Sequence, residues 1–272
     1  MSTPTHRQQR ERVREQFTRT AEVFGDYARA HRLGDAEMLA RIVRASATDG
    51  ALDVACGPGT LALPFSRHVR SICGLDLTPA ILERARLAAA AERLGNLSFV
   101  LGDAQALPFA DGSLDIAVTS YSLHHMADPS GVIREMARVV KPGGRVGVID
   151  IRVPEDAQIA WMSNRIERIR DPSHIRTLAR SEFGAIFAAA GLRVFASEIR
   201  RDPRQFDNWM HVAGWHRGDR EYIEARALLE STIPDNSADF DAQPAPADPG
   251  GSSEEPDIHF VHTILYIAAE KN

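Results

Sequence analysis

From Asp49 onward, short apolar runs alternate with longer stretches in which apolar residues recur every three or four positions. The runs are ALDVA, SICGLD, LSFVLGD, LDIAVTS and GRVGVID. Each is too short for a helix and nearly continuous in its apolar character, which predicts strands buried on both faces of a parallel sheet wrapped by helices. Between the second and third runs, PAILERARLAAAAERLG predicts a helix that opens at Thr78-Pro79 and stops at Gly95. Upstream, residues 8–44 read as two helices. The first is charged on one face and carries Phe17, Phe24 and Tyr27. Downstream, SEFGAIFAAAGLRVFASEI reads as a helix, a stop at Gly191 and a strand; residues 205–230 read as helical, and HFVHTILYIAAE as a last strand. Residues 234–257 are rich in Pro, Gly, Ser and acid and lack Lys and Arg. That composition predicts a mobile loop, with an acidic lid over the site as the alternative.

The pattern describes an α/β protein of one domain: a helical cap over 1–45, a core over 46–200 and 258–272, and an insertion with the acidic loop over 201–257. A chain of 272 residues buries enough surface to fold without disulfides or metals. Lys plus Arg (32) against Asp plus Glu (37) leaves a net charge of -5, which argues against nucleic acid as a partner. No segment approaches the roughly 20 apolar residues of a membrane span, and the first residues lack the apolar stretch of a secretory signal. A cytoplasmic protein acting on a small molecule is the expectation, and nothing in the pattern specifies an oligomeric state. Cys56 and Cys73 sit in or beside apolar runs without ligand spacing, so they read as buried free thiols and no metal site is expected.

The chemistry starts at LDVACGPGTLALPF, where Gly57 and Gly59 follow a buried strand and precede a helix. Glycines there allow a sharp turn and close approach to a ligand, and the next helix offers free N–H groups. Alone, the pair fits a structural turn or a nicotinamide enzyme equally well. Asp76, ending the next strand in GLDLTPAIL, is suited to accept both hydroxyls of a ribose, or else to cap the following helix. Asp103, after the third strand in VLGDAQALPFADGSLD, suits an adenine edge, or else a turn.

These segments, with SYSLHHMADP and REMARVVKPGGRVGVID in the same order, resemble the class I S-adenosylmethionine methyltransferases of the ubiquinone/menaquinone-biosynthesis type over roughly residues 13–200. The resemblance implies a Rossmann-like, seven-stranded, mostly parallel sheet with helices on both faces. HFVHTILYIAAE would be its antiparallel last strand, and residues 152–256 would carry most of the substrate-specific surface. It implies S-adenosylmethionine as cofactor, with Asp53, Ala55, Gly57 and Gly59 around the methionine part and Asp76 and Leu77 at the ribose and adenine. Asp103 and Ala104 would meet the adenine amine, and the Ser120 backbone would lie near the cofactor's amino group. Ala55 and Thr60 stand where many relatives have glycine. The N-terminal helices would cover the cofactor, bringing Tyr27 to it, although Phe17, Phe24 and Tyr27 also fit plain helix packing.

An NAD-dependent Rossmann oxidoreductase is the rival reading. Ala62 at the sixth position of the glycine motif does not exclude it, but the LPF-DGS-D and KPGG segments have no role there. A catalytically silent cofactor-binding module is the third. Methyl transfer needs a base only where the acceptor loses a proton, and His125 and His174 are the candidates, with His124 beside them; Arg176 could hold an acidic or phenolate acceptor. One of the adjacent pair His124 and His125 is expected to point away from the site, and His174 could instead cap a helix after Pro172.

Overall fold

The computed structural model describes residues 5–23, 25, 27, 33–245 and 256–272; Phe24 and residues 246–255 of the acidic stretch lie outside them. The five apolar runs form β1 (Gly50–Val54), β2 (Ser71–Asp76), β3 (Leu97–Leu101), β4 (Leu114–Ser120) and the end of β5 (Val140–Ile151). They are joined by β6 (Leu192–Gln205), the two-residue β7 (Gln243–Pro244) and β8 (Ile258–Lys271). The order across the sheet is β3-β2-β1-β4-β5-β8-β6, with β7 on β8. β1 to β5 pair in parallel. β8 enters antiparallel between β5 and β6, as expected of HFVHTILYIAAE. The chain reverses its direction of travel across the sheet between β1 and β4, and the crevice at the carboxyl ends of these strands is where open α/β sheets bind ligands.

Successive side chains of a strand face opposite sides of the sheet, and the two cores follow that alternation. Leu52, Ala117, Val146, Val148 and Leu265 face one side, where α5 (Pro129–Val139) contributes Ile133 and Met136, and α7 (Arg180–Ala189) contributes Phe183 and Phe187. Ala51, Ile116, Val118, Ile149 and Tyr266 face the other, against Leu39 of α2 (Leu33–Ile42) and Phe65 of α3 (Ala62–Phe65). The predicted helix after Thr78-Pro79 is α4 (Pro79–Ala91), packed on β3 and β2. Asp128 starts α5 by accepting from the Gly131 N–H at 2.8 Å, and Pro129 fills the first turn, where no amide is missed.

A third apolar cluster lies beyond the sheet. It joins Ile166 of α6 (Ala157–Arg170), Phe206, Trp209 and Met210 of α8 (Phe206–Val212), Tyr222 and Leu229 of α9 (Arg220–Ser231), and Ile258 and Phe260 of β8. Here the structure departs from the expected solvated loop over its first half. Ala238, Phe240 and Ala242 are buried in this cluster; the Val261 N–H donates to the Phe240 carbonyl at 2.7 Å, and the Ser163 hydroxyl donates to the Ala238 carbonyl at 2.6 Å. The acidic average of the stretch conceals one aromatic side chain with a matching aromatic pocket.

Helix α1 (His6–Arg19) is polar apart from Val13 and Phe17, which are only half-buried, and its buried residues are Gln9 and Gln16. Its start carries a reciprocal capping box between Thr5 and Gln8. Gln9 Nε2 donates to the carbonyls of His125 (2.8 Å) and Ser173 (2.6 Å), and Gln16 Nε2 to that of Ala213 (3.3 Å). Buried amides, rather than an apolar stripe, dock this helix over the carboxyl ends of the strands.

Candidate active site

The turn after β1 is left-handed at three positions, with φ of 57° at Ala55, 54° at Gly57 and 82° at Gly59. Two of them carry the residue that adopts this backbone without cost, whereas Ala55 bears a Cβ there. A Cβ on Gly59 would fall 2.1 Å from Leu63 Cδ1, so this glycine also lets α3 close against the loop. Asp76 braces the turn: Oδ2 accepts from the Gly57 N–H and Oδ1 from the Thr78 N–H, both at 2.9 Å. It thus organises the start of α4 and still lines the cleft. Its carboxyl stands above the usual range because burial outweighs the lowering by the amide hydrogen bonds. Asp103 accepts from the Gln105 N–H (3.0 Å) and pairs with Arg10 of α1 (3.2 Å), a contact the sequence did not announce.

These elements enclose a cleft of about 930 Å³, open space at its mouth included. Ala55, Gly57, Asp76, Leu77, Asp103, Ala104, Ser120 and His125 all line it, under Gln9, Arg10, Val13 and Phe17 of α1. Gly59 and Asp53 lie behind the lining. Asp53 is fully buried and neither carboxylate oxygen has a hydrogen-bond partner; the Ala62 amide faces it without hydrogen-bond geometry. Burial, followed by the nearby Asp76 charge, pushes its carboxyl well above the ordinary range. An orphaned buried acid behind a glycine turn fits a ligand that brings positive charge, and the remaining lone pairs of Asp76 and Asp103 fit hydroxyl and amine donors. S-adenosylmethionine carries all three, together with an adenine that Leu77, Ile81 and Met126 could flank.

A second cavity of about 720 Å³ adjoins the first, and Phe17, Tyr121 and His125 line both. Tyr121 also has a left-handed backbone (φ 49°), and its hydroxyl donates to Asp35 of α2 at 2.9 Å. Tyr27, expected at the cofactor, lies instead in this second cavity, where Arg204 donates to its hydroxyl. The expectation that His124 or His125 would point away also fails. Both line the second cavity, because a short 3-10 turn over Leu123–His125 brings their rings together, tilted by 47° with centroids 4.1 Å apart.

The three candidate histidines differ sharply. His124 Nδ1 lies 2.6 Å from Asp150 Oδ1, and Asp150 is fixed by the N–H groups of Leu123 (3.0 Å) and Ile151 (2.8 Å). Burial alone would lower its pKa, but the Asp150 charge and hydrogen bond more than reverse this, so His124 stands above an ordinary histidine. His125 is held down to about 4 by burial and then by the neighbouring His124. The Ser173 hydroxyl donates to Asp171 Oδ1 (2.6 Å), so it accepts from His125 Nδ1 (3.1 Å), leaving His125 Nε2 as the acceptor nitrogen. His174 lines neither cavity. Its Nε2 donates to Asn164 Oδ1 at 2.9 Å, and burial plus the His124 charge keep it well below the ordinary value, a structural role in place of the base expected there. No helix follows Pro172 directly, since α7 starts at Arg180. Arg176 is also withdrawn from the site: it is exposed, and its Nη1 donates to both carboxylate oxygens of Glu182 (2.7 and 2.8 Å).

A parallel sheet with one inserted antiparallel strand, a glycine turn, carboxylates at the ends of β2 and β3 and an orphaned acid behind the turn are together compatible with a class I S-adenosylmethionine-dependent methyltransferase, and the comparisons with known proteins show that class. A family profile described as "Methyltransferase domain" matches residues 52–148. The methyltransferase YcgJ of Bacillus subtilis is 34% identical over 201 residues, covering 73% of this chain and 78% of that protein. Its crystal structure superposes with a TM-score of 0.79 over 88% of this chain and 98% of its own, at 30% identity. The demethylmenaquinone methyltransferase of Renibacterium salmoninarum is 37% identical over 164 residues, 60% of this chain and 65% of that enzyme. A geranyl diphosphate C-methyltransferase from Streptomyces coelicolor, crystallised with Mg²⁺, geranyl diphosphate and S-adenosylhomocysteine, shares the fold at a TM-score of 0.60 and 18% identity, over 88% of this chain and 79% of its own. The chain belongs to the methyltransferase family, and the oxidoreductase reading falls away. Among the described residues no helix is long and apolar enough to cross a membrane.

Proposed function

We propose that this methyltransferase methylates a small-molecule acceptor bound in the second cavity, at oxygen or carbon, and that His124 backed by Asp150 removes the acceptor's proton. The observation that carries this reading is the shared wall. Phe17, Tyr121 and His125 line both cavities, so a donor in the first and an acceptor in the second would meet across three side chains. When bound, S-adenosylmethionine supplies a methyl group already activated on a sulfonium. Asp76, Asp103, Ala104 and Ser120 would hold it, with Asp53 behind the loop. What the protein adds is alignment, which supplies much of the acceleration in such displacements. A hydroxyl or activated C–H acceptor must also shed a proton, whereas a neutral amine attacks through its lone pair. His124, donating from Nδ1 to Asp150, would offer Nε2 as the base, and His125 Nε2 would orient the acceptor by a hydrogen bond.

The test is an assay of S-adenosylhomocysteine release over a panel of phenols, enols and activated carbon acids. For an accepted substrate, His124→Gln should lower kcat by ~10²–10⁴-fold. Turnover should rise with pH as His124 loses its proton, with an inflection above the ~6.5 of a free histidine, and Asp150→Asn should move that inflection to lower pH by removing the anion that favours the protonated ring. Unchanged turnover in His124→Gln would remove the base. Cofactor binding without turnover on any acceptor would favour a silent binding module.

A further inference from the structure

The second cavity carries more charge than an apolar acceptor needs. Glu167, Asp171, Arg170 and Arg204 all line it, beside His262 and Trp209. Three of the four side chains already face a partner at close range. Glu167 faces His262 Nε2 at 2.9 Å, Asp171 accepts from the Ser173 hydroxyl and N–H (2.6 and 2.8 Å), and Arg204 pairs with Asp202 and Tyr27. Arg170 differs. Its Nε donates to the Trp209 carbonyl at 2.9 Å and its guanidinium lies 4.7 Å from the Trp209 ring centroid, which fixes the group in place. Its two terminal nitrogens have no hydrogen-bond or ion-pair partner among the described residues.

We propose, building on the methyltransferase reading above, that Arg170 is the specificity residue of the acceptor site and that the acceptor is a flat, aromatic molecule carrying a carboxylate. An immobilised guanidinium with two parallel N–H groups to spare is complementary to a carboxylate in bidentate geometry. Burial lowers the Arg170 pKa, while Glu167 and Asp171 hold it up; the group stays charged and poorly solvated, the condition in which an incoming anion gains most. The walls supply the remainder of the fit. Phe17, Tyr121 and Trp209 offer ring faces and edges for a planar body, and the junction with the first cavity leaves one edge of that body toward the methyl donor.

The experiment titrates 4-hydroxybenzoate, 4-hydroxybenzamide and 4-hydroxybenzylamine into the full chain by calorimetry, each with and without S-adenosylhomocysteine. The acid should bind ~10-fold or more tighter than the amide, the return expected of a charge-assisted hydrogen bond. Arg170→Gln should bring acid and amide to parity, Arg170→Lys should keep part of the difference, and both should hold S-adenosylhomocysteine as the wild type does, which reports an intact fold. Parity in the wild type, including no binding of either probe, overturns the proposal. So does a preference for the amine, which would assign the site to Glu167 and Asp171, and so does discrimination that survives Arg170→Gln. Loss of S-adenosylhomocysteine binding in the wild type would overturn the donor assignment instead, and the acid-to-amide ratio without it would still read Arg170.

Discussion

Asp53 shows how a single residue of the cleft is tuned by what surrounds it. A buried carboxyl without partners favours its neutral form, so its pKa in the folded protein lies above the unfolded value of about 3.9. The sign follows from proton counting. Below the unfolded pKa both states are protonated and there is no penalty; as pH rises toward the folded pKa the native state keeps a proton that the unfolded state has lost, and stability falls. Asp53→Asn should therefore raise the melting temperature of the ligand-free protein at pH 8, with the gain vanishing near pH 4. The same variant should bind S-adenosylhomocysteine more weakly if the cofactor sits as proposed, because an ammonium at the glycine turn would lose a carboxyl able to ionise behind it. Equal melting temperatures at pH 8 would mean that Asp53 is solvated or paired after all. The cleft residues were legible in the sequence because each sits at a strand end within a local motif: Gly57 after β1, Asp76 as the last residue of β2, Asp103 after β3. Arg170 was not. At the end of α6 it reads as an ordinary solvated cation favouring the helix terminus, and only the fold brings Trp209 and His262 beside it.

At the scale of elements, the strands could be read because nearly continuous apolar runs bounded by turns have few other solutions, and the antiparallel place of β8 came through resemblance. The packed stretch around Phe240 was hidden by its acidic neighbours, and the docking of α1 was hidden because polarity usually means solvent. That docking makes a prediction. Gln9→Ala deletes both hydrogen bonds from its side chain and leaves the buried carbonyls of His125 and Ser173 without that donor, a loss of about 1–3 kcal/mol. Because α1 forms a wall of the first cleft but contributes little apolar burial, the loss should appear as faster hydrogen exchange across His6–Arg19 and weaker S-adenosylhomocysteine binding, with the exchange of β1 and β4 unchanged. The Arg10–Asp103 pair cannot substitute, since a half-exposed ion pair contributes at most about 1 kcal/mol. Protection of α1 equal to wild type would assign its docking to other contacts.

Across the whole molecule, the two cavities share Phe17, Tyr121 and His125 but end against different cores. Both rest on the sheet ends and α1, and the second takes its far wall from Trp209 and Val212 of α8, beside the aromatic cluster that includes Phe240 and Phe260. Damage to that cluster should therefore separate acceptor binding from cofactor binding. Phe240 is 7% exposed, and its ring centroid lies 5.5 Å from that of Phe260 and 5.5 Å from that of His262, itself the partner of Glu167 in the second cavity. Phe240→Ala removes a buried aromatic, a change that costs about 3–5 kcal/mol where the site does not collapse. The loss should fall on α8, α9 and β7 rather than on β1 to β5. Proteolysis should then open the 232–245 segment before the core, and 4-hydroxybenzoate affinity should drop. S-adenosylhomocysteine should bind the variant nearly as well as the wild type and raise its melting temperature by the amount its concentration over Kd dictates. If cofactor and acceptor affinities fall together, the third cluster and the sheet unfold as one unit, and the acceptor side is an integral part of the catalytic core.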